Sequence, residues 1–67
     1  MELSINGESK SIKLTVDTLQ GVIDALSISS EGRIIELNGT LFRSSEFVTQ
    51  GVQSGDMIEI IQFMGGG

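Results

Sequence analysis

The chain has 67 residues, and its nine acidic side chains outnumber Lys10, Lys13, Arg33 and Arg43 to give a formal charge of −5. An acidic surface with no basic stripe argues against nucleic acid and against membrane as partners, and favours proteins with basic docking faces. The absence of Cys and His removes disulfide frameworks, iron–sulfur clusters, thiolate nucleophiles and almost every zinc site, so one small domain must hold together by packing alone.

Taken in chain order, Leu3 and Ile5 alternate with Glu2 and Ser4, Asn6-Gly7 follows, and Ile12, Leu14 and Val16 alternate with Ser11, Lys13 and Thr15. This predicts a β-hairpin, because Asn and Gly tolerate the positive φ of hairpin turns and period-two alternation turns one apolar face inward. Glu8 and Ser9 are expected to lengthen its loop. The period then changes: Leu19, Val22, Ile23 and Leu26 fall at helical spacing, with Asp17 or Thr18 as the cap and Gln20 placed as a capping-box partner. Gly21, Val22 and Ile23 weaken intrinsic helicity, so packing on a sheet must hold this helix.

After the polar stretch 27–32, Arg33-Ile34-Ile35-Glu36-Leu37 reads as a strand and Asn38-Gly39 as a second turn. Leu41 and Phe42 begin a short strand, and Ser44-Ser45-Glu46-Phe47 reads as an irregular or single helical turn with Phe47 and Val48 as anchors. Ser54-Gly55-Asp56 is a third turn signal, and Met57 to Phe63 is a long apolar strand leading into Gly65-Gly66-Gly67. The order predicts an α+β layer pair, one sheet with a helix on a single face.

Several of these features, in this order and spacing, resemble the ThiS family of thiamine-biosynthesis sulfur carriers. They are the opening strand with Asn6-Gly7, the Leu37-Asn38-Gly39 turn, Arg43, Phe47, Gly55-Asp56, the run Ile58-Glu59-Ile60-Ile61-Gln62-Phe63, and the terminal Gly66-Gly67. The resemblance spans the whole length and implies the β-grasp fold of ubiquitin, a mixed sheet with one helix packed on one face. Residues 1–63 would form the domain and 64–67 a flexible tail. Phe42 stands where the family commonly has Pro, which bears on the local loop and leaves the chemistry alone. MoaD-like molybdopterin carriers also end in Gly-Gly, but they usually run longer and often carry Pro-Pro where this chain has Gln62 and Phe63.

The resemblance also implies a chemistry. The Gly67 carboxylate would be adenylated by a ThiF-like partner enzyme using ATP, then converted to a thiocarboxylate by a persulfide sulfur donor. The thiocarboxylate would deliver that sulfur to thiazole synthase, a ThiG-like protein. The chain would be a cosubstrate and not an enzyme, with no stably bound cofactor and no metal. Gly66 would give access, since a backbone without Cβ is thin enough to thread into another protein's active site, with Met64 and Gly65 as spacer.

Alternation in the last strand sends Ile58 and Ile60 to one side and Met57, Glu59, Ile61 and Phe63 to the other. The same parity buries Ile35 and Leu37 and leaves Ile34 beside Glu36 outside. Ile34, Ile61 and Phe63 therefore form an expected apolar docking patch beside the tail; the alternatives are packing under the loop Phe42 to Val52 or a homodimer contact. Gly55-Asp56 reads as a turn device and Phe47 as a core plug. A ubiquitin-like protein modifier, a carrier for another pathway and a non-covalent binding module remain competing functions. The N-terminal Met1-Glu2-Leu3-Ser4 lacks the charge of a signal peptide and no apolar run nears the roughly 20 residues of a membrane helix, so the expected location is cytoplasmic.

Overall fold

Both Asn-Gly pairs do what their conformational freedom allows. Asn6 and Gly7 take φ of 50° and 83°, Asn38 and Gly39 take 49° and 91°, and each pair closes a two-residue hairpin turn whose handedness matches the strand twist. The computed structural model describes residues 1–62. Its elements run β1 (Glu2–Ile5), β2 (Glu8–Ser11), α1 (Leu19–Ala25), β3 (Arg33–Leu37), β4 (Thr40–Arg43), a 3₁₀ turn (Ser44–Glu46) and β5 (Met57–Gln62). The five strands form one mixed sheet in the order β2-β1-β5-β3-β4, with β1 and β5 parallel in the centre and the other neighbours antiparallel. This is the expected α+β architecture with one helix.

The first hairpin is tighter and earlier than its apolar alternation predicts. Ile5 pairs directly with Glu8 and Ser4 with Ser9, so Glu8 and Ser9 belong to the strand and do not lengthen the loop. The ladder ends at Glu2↔Ser11, with the Ile12 N–H still donating to the Met1 carbonyl at 2.8 Å. The ladder stops there, and the alternating stretch from Ile12 to Val16 forms no strand. Ile12 and Leu14 still pack partly against the core, while Val16 is exposed.

The helix is short and depends on its surroundings. Thr18, not Asp17, is the N-cap: its Oγ1 accepts from the Gly21 N–H at 3.1 Å. The Leu19 and Gln20 N–H groups donate to the carbonyls of Gln50 and Phe47, so the loop after the 3₁₀ turn satisfies the first-turn amides. Gln20 accordingly completes no capping box; its amide donates to Asp24 Oδ1 one turn on. Gly21 has a packing reason as well. A Cβ there would lie 1.9 Å from the Val16 carbonyl oxygen, a backbone atom that a side chain cannot push aside. At the other end, Ser27 takes φ 58°, its N–H donates to Asp24 O, and the Ile28 N–H donates to Ile23 O. These two bonds form a Schellman cap with serine at the position usually held by glycine.

The helix lays Leu19, Val22 and Ile23 on Leu3, Ile5, Ile35, Leu37 and Ile58 from the sheet, and Phe47 and Val52 close the end of that core. Phe47 is fully buried, as a core plug should be. Val48 is not an anchor: it is 61% exposed, because the turn that points Phe47 inward points its neighbour out. Phe42 lies opposite Ile35 on β4 and packs partly against the same core, so this aromatic residue is accommodated within a strand.

Candidate functional site

Strand parity divides the sheet into a covered and an uncovered face. On the helix side lie Leu3, Ile5, Ile35, Leu37 and Ile58, all buried, with Ile60 half-buried at the margin. On the other side lie Ser4, Met57, Glu59, Ile61, Ile34, Glu36, Leu41 and Arg43. Ile34 and Ile61 are direct cross-strand partners, so two of the three residues expected to form a patch meet on neighbouring strands. Ile61 is 40% exposed and Ile34 half-buried. Phe63, the third, lies outside the described residues, as do Met64, Gly65, Gly66 and Gly67, so the reactive end expected from the resemblance is not placed.

Two further apolar residues share this face. Leu41, opposite Glu36 on β4, is 62% exposed, and Met57, at the start of β5, is 65% exposed. Leu41 becomes predictable once the Asn38-Gly39 turn fixes the β3–β4 register, since a two-residue turn puts Leu37 opposite Thr40 and Glu36 opposite Leu41. Between these apolar groups sit Glu36 and Glu59, directly opposite each other, an arrangement that works against folding. Among the described residues the ion pair present is Lys10 with Glu8 at 3.6 Å, far from this pair and too exposed to contribute much. The face therefore carries apolar area and negative charge that the fold itself does not use.

The central strand β5 is held at both ends by the two Asn-Gly turns. At its start, the Met57 N–H donates to Asn38 Oδ1 at 2.9 Å, and the Asn38 Nδ2 donates to Asp56 Oδ1 at 3.0 Å. The second Asp56 oxygen accepts from the Gln53 N–H at 2.9 Å, so the buried carboxylate is bonded through both oxygens and fixes the Ser54-Gly55 turn. Asp56 is thus the turn device its context predicts, with its partner Asn38 distant in sequence. Towards the other end of β5, the Ile60 N–H donates to Asn6 Oδ1 at 2.7 Å. Neither asparagine is marked by sequence for more than its turn. No group of three or more His, Cys, Asp or Glu among the described residues is placed to hold a metal ion. No helix among them is long and apolar enough to cross a membrane.

Comparison with known proteins fits this arrangement. A curated thiazole synthase of Paramagnetospirillum magneticum is 31% identical over 67 residues, covering all of this chain, which spans about one fifth (20%) of that protein's length. The crystal structure of a thiamine biosynthesis protein (ThiS) from Geobacter metallireducens superimposes with a TM-score of 0.81 at 30% identity, covering 100% of both chains. A solution structure of a thiamine biosynthesis protein from the same organism gives 0.77 at 30% identity, covering 100% of this chain and 88% of the other. The ThiS family model matches residues 3–67, from the first core residue of β1 through the final glycine, and with the five-stranded fold superimposing end to end the chain belongs to the ThiS family.

Proposed function

We propose that the protein is a sulfur carrier for thiazole formation in thiamine biosynthesis, acting through the Gly67 carboxylate. The observation that carries this reading is the family match that runs through residue 67 and so includes the Gly66-Gly67 pair. A carboxylate is a poor acyl donor because its leaving group would be an oxide. Attack of a Gly67 oxygen on the α-phosphorus of ATP, in a ThiF-like adenylating enzyme, forms an acyl-adenylate and releases pyrophosphate. The terminal sulfur of a persulfide donor then attacks the acyl carbon and AMP leaves. A thiol cleaves the resulting S–S bond, supplying two electrons, and the thiocarboxylate is released.

The acceptor is a ThiG-like thiazole synthase. A protein of that name contains a stretch aligned with this entire chain, which supports carrier and acceptor working together. Ile34 and Ile61, with Phe63, Met64 and Gly65 beyond them, form the docking surface that delivers the tail to both enzymes. Exposed apolar groups grouped on one sheet face, beside a strand that leads into the tail, fit that role better than the core does.

Intact-mass measurement after incubation with ATP, the adenylating enzyme of the same organism and a persulfide source tests the proposal. Replacement of one oxygen by sulfur at the C-terminus is expected. A covalent adduct with a target protein would identify a modifier instead, and an unchanged mass would indicate a non-covalent module. Deleting Gly67 should abolish the mass change completely while leaving the unfolding midpoint where it was.

A further inference from the structure

The two sides of β5 are supported unequally. On the β3 side, pairing continues to Arg33↔Gln62, the last described residue. On the β1 side, the parallel register runs only through Ser4↔Met57 and Ile5↔Ile58, because β1 then turns away at Asn6-Gly7. The backbone N–H of Asn6 still donates to the Ile58 carbonyl at 2.9 Å, and its side-chain oxygen accepts from the Ile60 N–H at 2.7 Å. Asn6 therefore extends the pairing of β5 by two residues past the point where its neighbouring strand has left.

We infer that Asn6 is a positioning residue for the reactive tail, holding Ile60 and with it the last described stretch of β5, the root from which the chain runs on to Gly67. This rests on the proposed role of Gly67 as the atom source for adenylation. Gly67 is the fifth residue after Gln62, a reach of at most about 17 Å, so the placement of Gln62 bounds where the carboxylate can arrive. The left-handed turn requires a residue that tolerates φ near 50°, and Gly, Asp and Asn all do. Of these, Asn and Asp offer an oxygen to Ile60, whereas Gly offers none. The turn alone does not need that oxygen; the Ile60 N–H, left without a β1 partner, does.

The same distinction supplies the test. Asn6→Gly keeps the turn and deletes the acceptor, and Asn6→Asp keeps both. In Asn6→Gly, amide hydrogen exchange at Ile60 should rise while that of Leu37, in the core of β3, stays protected. With the adenylating enzyme of the same organism, kcat should fall roughly five- to tenfold, as loss of one ordinary hydrogen bond implies. KM should stay within about twofold, since the Ile34↔Ile61 pairing that presents the docking face is made on the β3 side. Asn6→Asp should restore both readouts. A merely structural role would lower the unfolding midpoint without changing kcat under conditions where the variant is folded. Unchanged kcat in Asn6→Gly, unchanged exchange at Ile60, or an Asn6→Asp variant that behaves like Asn6→Gly would overturn the inference. Failure of the wild-type chain to be adenylated would instead remove the proposed function on which it rests.

Discussion

Ile34 and Ile35 are neighbours in one strand and have opposite fates. Ile35 is fully buried beneath the helix, and Ile34 points to the open face, paired with Ile61. The contrast repeats along β5, where Ile58 is buried and Met57 and Ile61 are exposed. One face of the sheet is spent on folding, and the other keeps isoleucine, leucine and methionine where burial within this chain rewards them little. Composition and hydropathy do not separate the two sets; one residue of register does.

The most severe way to break that comparison is to truncate the two neighbours in turn. Ile35→Ala removes side-chain volume from a core that no disulfide staples, and should cost about 2–5 kcal/mol of unfolding free energy. Ile34→Ala should cost less than about 1 kcal/mol, because its side chain keeps access to water in the folded state. Denaturant midpoints at equal m-value measure both. Similar losses at the two positions would mean that the open face is not open in solution.

Ile61→Asp asks what the open face is for. The substitution should leave the fold intact at a cost of about 1 kcal/mol, the span of strand propensity. It should raise the KM for adenylation about tenfold or more with little change in kcat, since it places a charge in a contact that is apolar on this side. The opposite kinetic signature is expected of Asn6→Gly, so the two variants separate docking from tail placement. Intact adenylation kinetics in a folded Ile61→Asp protein would remove this face from the docking surface.

Much of this division is legible in sequence. The switch from period two to helical spacing at Leu19 locates the helix, the Asn-Gly pairs locate both hairpins, and parity alone assigns Ile34 and Ile35 to opposite faces. What sequence does not disclose depends on partners distant along the chain. The alternation from Ile12 to Val16 is as regular as that of a strand, and only the register of β1 with β2, which spends the pairing on Glu8 to Ser11, shows that the strand lies earlier. Gly21 reads as a weak helix former until the Val16 carbonyl is found where its Cβ would lie. Ser27 gives no glycine signal for a Schellman cap, yet its φ of 58° supplies one. Asn6 and Asn38 announce turns, while their bonds to Ile60 and Met57 require β5 to be threaded between them. The Gly66-Gly67 end is legible only through its family context, because a bare glycine run is equally the composition of a frayed terminus.

The smallest effect concerns the charge on the open face. Glu36 and Glu59 are direct cross-strand partners, and like charges so placed oppose the pairing of β3 with β5. Glu36→Gln keeps the shape and hydrogen-bonding reach of the side chain and removes one charge. Stability should rise by about 0.2–1 kcal/mol at low salt, and most of that gain should vanish at about 1 M salt, where the Debye length falls to roughly 3 Å. Parallel denaturation series at the two salt concentrations measure it. A gain would show that the open face carries charge at the expense of folding, as a surface shaped for basic partners would. No gain at low salt would mean that water already separates the two carboxylates, and the face would then differ from its buried counterpart in exposure alone.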